Sequence, residues 1–237
     1  MSLKPLIVVF TGSGISAESG IKTFRDQNGL WENFKIEDVA SPEAWKKHPE
    51  KVRAFYNARF FQLSEVQPNA AHHAIAALEL QFRVQVITQN VDNLHERAGS
   101  TSVLHLHGEL TKARSELYQD IIVPMPNQGL QSDSRCEKGS LLRPHIVWFG
   151  ETVPFMSTAQ NYMAHADICI VIGTSQQVYP AAGLLNHLKP QIPVWVIDPH
   201  LPQSNLPMGY EWIQSKAAEG MGMLREQLLS DAYIHIK

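Results

Sequence analysis

The sequence predicts an α/β fold whose core is a parallel β-sheet. Two runs of the 237-residue chain, 6–10 and 167–173, are almost wholly apolar, as expected for parallel strands buried on both faces. Helix-forming segments separate these runs from further strand-like runs, an alternation typical of α/β proteins. The first run leads directly into Gly12 and Gly14, and glycines at such a turn let the backbone approach a phosphate group closely. These observations predict a Rossmann-like, doubly wound sheet with a nucleotide site, although the glycine turn alone also fits a plain strand-to-helix connection.

The individual elements follow from local patterns. The strand-like runs, in order, are 6–10, 83–88, 103–108, 167–173, 193–197 and a short sixth at 211–214. Helices are predicted over 70–80, 94–99 and 219–229. Residues 31–63 are predicted to be helical and partly independent, because Ser41 is a good N-cap before Pro42 and because Pro49 restarts an amphipathic helix.

One segment interrupts the alternation. Residues 109–142 contain several prolines and glycines and have weak periodicity, so we interpret them as an irregular insert. The sequence therefore predicts two modules. A Rossmann-like domain comprises residues 1–30, 67–108 and 144–237, and a small helical and irregular module comprises residues 31–66 and 109–143.

The bulk composition excludes several classes of protein. With 18% charged residues and a net charge of −3, nothing suggests binding to nucleic acid or to a membrane surface. The apolar start has no small-residue cleavage site, and no run approaches the ~18 apolar residues of a membrane span. The chain has only two cysteines, Cys136 and Cys169, and Cys169 lies in an apolar run typical of the core. We expect no disulfide framework and a cytoplasmic location.

Polar residues at strand ends are the first candidates for chemistry. Gln89, Asn90 and Asp92 follow the second strand, where ligands of open α/β sheets bind. Asn and Asp are also common in turns and helix caps, which is the alternative for this run. In the third strand, His107 next to glycine at the strand end is a better catalytic candidate than His105.

Two further pairs of residues have both a structural and a functional interpretation. Tyr56 and Arg59 lie three positions apart, hence on one helix face, and taken alone are a core tyrosine beside a solvated arginine. His72 and His73 lie in a predicted helix without a cysteine or carboxylate partner at metal-ligand spacing, so packing or hydrogen bonding is their expected role.

Seven blocks together resemble the sirtuins, which are NAD-dependent protein-lysine deacylases, and most closely the bacterial desuccinylating class. In chain order they are GSGISAES, TFR, TQNVDNLHERAG, LHLHGEL, LRPHIVWFGE, GTSQQVYPAAG and SKAAE. They occur in the family's order and cover nearly the whole chain except residues 111–140. The resemblance implies NAD as cofactor and acylated-lysine proteins or peptides as substrates.

The resemblance also implies roles for individual residues. The catalytic residues would be His107, Asn90 and Asp92, with His107 accepting a proton from a ribose hydroxyl of NAD. The other cofactor contacts would be Gly12, Ser13, Gly14, Ile15, Glu18, Thr23, Phe24, Arg25, Gln89, Gly173, Thr174, Ser175, Asp198 and Ala217. Ser13 stands where alanine is commoner in the family, and Asp198 stands where asparagine is common.

Substrate contacts are implied in the same way. Strand edges that would hold the substrate peptide by main-chain hydrogen bonds include Val147, Phe149, Gly150, Glu151 and Val178. The desuccinylating sirtuins resemble this chain in having Ala40, Tyr56 and Arg59 at this spacing. In such a pocket Ala40 leaves room for a long acyl chain, and the arginine and tyrosine bind its carboxylate. This resemblance favours carboxylate recognition over simple packing.

The sequence departs from the family at its structural zinc site, which usually has two cysteine pairs. Ser115 and either Leu117 or Tyr118 stand at the first pair, and of the second only Cys136 remains, with Gly139 at the partner spacing. One thiolate cannot form a closed tetrahedral site, so we predict no metal. The insert would then be held by packing of Leu117, Ile121, Ile122, Val123 and Met125.

The function expected from these features is NAD-dependent removal of succinyl or malonyl groups from protein lysines, with deacetylation as well. The products implied by the resemblance are nicotinamide and O-acyl-ADP-ribose. The alternatives are a plain deacetylase, a catalytically weak module that binds NAD or ADP-ribose, and an ADP-ribosyl transferase. Retention of Asn90, Asp92 and His107 argues against the binding module, because a pure binder needs no base.

Overall fold

The structure, a computed structural model, describes residues 4–22, 30–31, 34–174, 180–200 and 209–230. The strands are β1 (Leu6–Thr11), β2 (Leu30–Trp31), β3 (Phe34–Lys35), β4 (Arg83–Thr88), β5 (Val103–His105), β6 (Gly108–Ser115), β7 (Ile122–Pro124), β8 (Leu142–Ile146), β9 (Ile168–Ile172), β10 (Val194–Ile197) and β11 (Tyr210–Ile213). The α-helices are α1 (Ile36–Val39), α2 (Pro42–Lys47), α3 (Pro49–Gln62), α4 (Ala70–Ala77), α5 (Leu94–Arg97), α6 (Met156–His165) and α7 (Ala217–Leu229). Three 3₁₀ helices comprise Ser13–Ser19, Leu78–Leu80 and Ala181–His187.

Six strands form a parallel sheet in the order β11-β10-β9-β1-β4-β5, which confirms the predicted α/β, doubly wound class. The chain builds outward from β1 through β4 to β5, then returns to the other side of β1 to add β9, β10 and β11. The strand order therefore reverses between β1 and β9, and ligands of open α/β sheets bind in the crevice at such a reversal.

Apolar residues cover both faces of this sheet. One cluster joins β1, β4 and β9 to α4 and α7, with Ile75 and Leu224 fully buried. The other joins the opposite sheet face to α6 and the Ala181–His187 helix, with Phe10 and Met163 fully buried. Cys169 also lies in this second cluster, where burial raises the pKa of its thiol to about 12, as expected for an inert core residue.

The insert is more regular than predicted, because β6, β7 and β8 form an antiparallel sheet in the order β7-β6-β8. Strand β6 contains mostly small and charged residues, with Thr111 as its one β-branched residue, so its buried alternation is not apparent in the sequence. The predicted third strand also ends earlier, at His105. At Gly108 the backbone has φ +82, and an added Cβ would lie 2.0 Å from the His145 carbonyl oxygen. Only glycine fits where the chain turns from β5 into β6.

The packing of the small module corrects part of the predicted set of anchors. Met125 is buried with Ala113, Leu130 and Leu142, and Ile121 and Val123 pack against the same cluster. Leu117 and Ile122 are wrong as anchors, because 76% and 44% of their surfaces are exposed. Both side chains lie on the outer surface of the small module.

A third apolar cluster joins α1, α2 and α3 to Leu110, Ile146 and Trp148. We propose the predicted division into two modules for the folded chain, because this cluster draws on both segments assigned to the small module. Among the described residues, no helix has the length and apolar character to cross a bilayer.

Candidate active site

The crevice at the strand reversal is lined by two glycine turns that touch each other through their backbones. The amide of Gly12 donates to the Ile172 carbonyl at 3.0 Å, and the amide of Gly14 donates to the Gly173 carbonyl at 2.9 Å. A Cβ at Gly14 would lie 2.6 Å from the Gly173 Cα, and Gly173 itself has φ +60. Side chains are excluded here, so the two backbones pack directly on each other, and no side chain of these glycines covers the main-chain amides.

The predicted cofactor residues in the described part of the chain follow the ends of several strands. The 3₁₀ helix after β1 begins at Ser13, and Ile15 on its inner side is fully buried. Thr174 follows β9, Asp198 follows β10, and Ala217 begins the helix after β11. Because parallel strands end at one sheet edge, these residues follow the same edge, where ligands of such sheets bind.

Glu18 links two elements at this edge of the sheet. Its carboxylate accepts a hydrogen bond from the Ala218 amide at 2.9 Å, which joins the glycine turn to the start of α7. Asp198 accepts a bond from the His200 amide at 2.9 Å and so shapes the turn after β10. Thr23, Phe24, Arg25, Ser175 and Val178 lie outside the described residues, so their predicted roles stay predictions.

Ser16 connects the side chains of Asn90 and Asp92, which follow β4. The sequence analysis did not identify this serine. Its Oγ donates to Asp92 Oδ2 at 3.0 Å and accepts from Asn90 Nδ2 at 3.1 Å. Asn90 and Asp92 are both buried, with 7% and 5% of their surfaces exposed. The signal available in the sequence was a serine on the buried side of the glycine-turn helix, directly after Ile15.

Burial raises the pKa of Asp92 above its ordinary value, and three contacts oppose this shift. The Leu94 amide and the Ser16 hydroxyl donate to the carboxylate, and the charge of His105 lowers the same pKa. Gln89 and Asn90 are held by their main chains, through the Thr11 carbonyl and the Thr88 hydroxyl respectively. The polar run after β4 is therefore fixed in place before any ligand binds.

His107 has the geometry of a general base. Its Nδ1 lies 3.1 Å from the Gln89 carbonyl oxygen. A carbonyl only accepts, so Nδ1 carries the hydrogen and Nε2 is the nitrogen that takes up a proton. Burial lowers the pKa of His107 below its ordinary value, with the Gln89 carbonyl opposing, so the imidazole is neutral at neutral pH.

The segment predicted to hold a substrate peptide lies directly beside this histidine. The Val147 amide donates to the His107 carbonyl at 2.9 Å, and the Phe149 amide donates to the Ala40 carbonyl at 3.0 Å. Phe149 is 52% exposed, and Gly150 is exposed as well. These two hydrogen bonds join the base, the predicted peptide segment and the predicted acyl pocket.

Glu151 is engaged within the protein. Its carboxylate pairs with Arg114 at 3.0 Å and with Arg143 at 2.7 Å, and it accepts from the Trp148 amide at 2.8 Å. The Arg143 guanidinium also stacks on the Trp148 ring, 3.3 Å from its centroid. Glu151 therefore fixes the turn that carries Phe149, and any contact of its own with substrate remains a prediction.

The three predicted acyl-pocket residues belong to the third apolar cluster or border it. Ala40 and Tyr56 are buried, and the Tyr56 hydroxyl accepts from Trp148 Nε1 at 3.0 Å. Burial raises the pKa of Tyr56, so its hydroxyl stays protonated. One turn further along α3, the Arg59 guanidinium lies 5.1 Å from the centre of the Phe55 ring. Sequence reasoning did not identify Trp148 as a partner of Tyr56.

The four positions of the family's zinc site do not fit a tetrahedral metal site. Ser115 Oγ accepts from the Tyr118 amide at 3.1 Å and hydrogen bonds to the Cys136 side chain. The Gly139 amide donates to the Cys136 carbonyl at 2.9 Å, so both turns are closed by hydrogen bonds. In the described ranges no group of three or more His, Cys, Asp or Glu side chains could hold a metal.

Comparisons with known proteins agree with this geometry. The Sir2 family matches residues 12–180. An NAD-dependent protein deacylase of Helicobacter pylori (strain ATCC 700392 / 26695) is 49% identical over 226 residues, which are 95% of this chain and 98% of that protein. A mutant of a Sir2 homologue in complex with ADP-ribose has a TM-score of 0.87 at 39% identity, over 95% of this chain and 92% of its own. A Sir2 mutant with a deacetylated p53 peptide and 3'-O-acetyl-ADP-ribose has a TM-score of 0.78 at 28% identity, over 94% of both chains.

Proposed function

Because the chain belongs to the Sir2 family and is a sirtuin-type NAD-dependent protein deacylase, we propose that it removes succinyl or malonyl groups from protein lysines and acetyl groups as well. The observation that carries the acyl preference is the placement of Tyr56 and Arg59 one turn apart on α3, with Tyr56 in the cluster of Ala40 and Trp148 and Arg59 over the Phe55 ring of the same cluster. A guanidinium grips a carboxylate through paired charge-assisted hydrogen bonds, and a protonated tyrosine adds a third donor.

The residues of the crevice fit NAD. The turns at Gly12, Gly14 and Gly173 pack backbone against backbone and carry no side chains, so their main-chain amides would be available for a close approach by the phosphates. Thr174, Asp198 and Ala217 would hold the adenosine half. NAD supplies the ADP-ribosyl group that receives the acyl oxygen, with nicotinamide as leaving group.

The chain's own residues would carry the remaining tasks. Asn90 and Asp92, oriented by Ser16, would hold the nicotinamide end and its ribose, together with Gln89. His107 would accept a ribose hydroxyl proton at Nε2, since Nδ1 is committed to the Gln89 carbonyl. The products would be free lysine, nicotinamide and O-acyl-ADP-ribose.

The peptide would bind as an added strand along Val147, Phe149 and Gly150, and along Val178 on the other side. Main-chain hydrogen bonds recognise an extended peptide without reading its sequence, so the acyl group would carry most of the specificity. The Val147 amide joins this segment to His107, which supports the proposal that a bound acyl-lysine would lie within reach of the base.

The test is an NAD-dependent deacylation assay on one peptide in acetyl and succinyl forms. We expect wild type to prefer the succinyl form and His107→Ala to be inactive on both. Arg59→Met should lower the succinyl-to-acetyl ratio of kcat/KM by about 10–100-fold, the value of a hydrogen bond to a charged group. Arg53→Met is the matched control, because Arg53 lies on the same helix and stacks on Trp45 instead.

Three other outcomes separate the alternatives. Equal removal of both groups, unchanged by Arg59→Met, identifies a plain deacetylase. NAD binding without deacylation identifies a binding module. Transfer of ADP-ribose to the peptide, with the acyl group retained, identifies an ADP-ribosyl transferase.

A further inference from the structure

An ion pair between the buried His105 and the partly exposed Glu96 lies directly behind the polar run that follows β4. His105, at the end of β5, has 6% of its side chain exposed, and its Nε2 lies 2.8 Å from Glu96 Oε1 on α5. Its Nδ1 lies 2.9 Å from the carbonyl oxygen of Asn90. A carbonyl and a carboxylate both accept hydrogen bonds and donate none, so both ring nitrogens of His105 carry hydrogens. A ring protonated on both nitrogens is an imidazolium.

We propose that His105, held as an imidazolium by Glu96, is a positioning residue that fixes the Asn90 carbonyl and keeps the neighbouring Asp92 ionised. The inference rests on the roles proposed above for Asn90 and Asp92 in the nicotinamide pocket. It concerns the NAD half of the site and is independent of which acyl group the enzyme prefers.

The charges around His105 favour this state. Burial opposes its charge, but the hydrogen bond and charge of Glu96, the Asn90 carbonyl and Glu109 together raise the pKa of His105 above its ordinary value. The pKa of Glu96 is lowered, with burial opposing and His105 the main favourable partner. His95, on the same helix as Glu96, is buried, and burial first, then the charges of His72 and His105, lower its pKa well below the ordinary value.

The charge state of His105 affects the proposed nicotinamide pocket in two ways, through Asn90 and through Asp92. Asn90 is held at its carbonyl by His105 and at its side chain by Ser16, so loss of either releases one end. Asp92 is buried, and burial raises its pKa; the charge of His105 lowers this pKa, and the charge of Glu96 partly offsets that by raising it. Deprotonation of His105 would remove one donor and one positive charge together. Other charged or titratable groups on this side of His105 are Glu109, its ion-pair partner Lys112 and Arg114, all on β6, and His145 on β8.

The experiment is a pH profile of kcat/KM for NAD, with an acetyl peptide, in wild type and Glu96→Gln. We expect the wild-type profile to fall at low pH as His107 is protonated and at high pH as His105 loses its proton. In Glu96→Gln the high-pH limb should move down by about one pH unit, because a neutral amide no longer stabilises the cation, while the low-pH limb stays in place. Glu79→Gln, whose carboxylate binds Thr101 instead, is the control.

Two further measurements test the protonation of His105 and its effect on NAD binding. Nitrogen-15 spectra of the wild-type protein at pH 7.5, assigned with His105→Gln, should find both ring nitrogens of His105 protonated. The NAD affinity, measured by calorimetry over the same pH range, tests the inference even if the protein has no deacylase activity. A neutral His105 ring at pH 7.5, or a high-pH limb that Glu96→Gln leaves unmoved in both profiles, overturns the inference. Loss of acyl selectivity alone refutes only the proposed acyl preference.

Discussion

A single indole N–H sets the direction of the Tyr56 hydroxyl. Trp148 Nε1 can only donate, so the tyrosine oxygen accepts from it and the hydroxyl hydrogen points away from the indole. Trp148 is itself held by the Arg143 guanidinium on its ring and by Glu151 at its amide. The orientation of a donor in the proposed acyl pocket therefore depends on the turn that also carries the peptide segment.

Trp148→Phe should lower the succinyl-to-acetyl ratio of kcat/KM by about 3–10-fold, the value of one buried hydrogen bond. The ring keeps its contact with Arg143, so deacetylation should change little. In a Tyr56→Phe background the same substitution should have no further effect, because it acts through the missing hydroxyl. Trp195→Phe removes an equally buried indole donor, paired with Glu211, and serves as control. Additive losses in the double variant would contradict this prediction.

At the scale of elements, the site depends on two turns that meet without side chains. The turn after β1 and the turn after β9 are joined by two backbone hydrogen bonds. Their glycines differ in kind from Gly222 in α7, where a Cβ would meet nothing within 4 Å. The absence of a side chain is thus required where the two turns meet, together with a positive φ at Gly173, whereas glycine in the helix only costs stability.

Gly14→Ala should destabilise the protein by about 1–3 kcal/mol, because its Cβ would press on the backbone of Gly173. The same displacement should weaken NAD binding at least tenfold. Gly222→Ala should instead raise the free energy of unfolding by about 0.5–1 kcal/mol, since alanine is the better helix former. Thermal unfolding and calorimetry of NAD binding measure both effects. A Gly14→Ala variant with unchanged NAD affinity would show that the ligand does not approach this turn.

The parallel strands were predictable because burial on both faces gives continuous apolar runs, and β4 agrees with its predicted bounds. Strand β6 was not predictable from the sequence, because its pairing with β7 and β8 places small residues such as Ala113 in the core. The bonds of Ser16 to Asn90 and Asp92 span more than 70 residues of chain, and no local pattern encodes such a contact. The resemblance to the sirtuins supplied candidate residues, and the folded chain supplies their hydrogen-bond partners.

At the scale of the whole molecule, the small module is attached to the parallel sheet beside the base. The Val147 amide binds the His107 carbonyl, and the Phe149 amide binds the Ala40 carbonyl. A change in the packing of the small module therefore reaches both the acyl pocket and the peptide segment. We therefore expect catalysis to depend on the stability of that module, although the module lies outside the proposed NAD crevice.

The hydrogen-bonded turns at Ser115 and Cys136 and the apolar cluster around Met125 predict that this module needs no metal. We expect a chelator to leave both the Tm and the deacylase activity unchanged, and elemental analysis of the purified protein to find less than stoichiometric zinc. Ser115→Ala should lower the free energy of unfolding by about 1–2 kcal/mol, since it leaves the part-buried Tyr118 amide and the buried Cys136 thiol without their partner. Ser157→Ala, a substitution on the exposed side of α6, is the matched control. A Tm that falls on chelation, together with one bound zinc that Cys136→Ala removes, would contradict the prediction, because a single thiolate would then be completing a metal site with ligands from elsewhere.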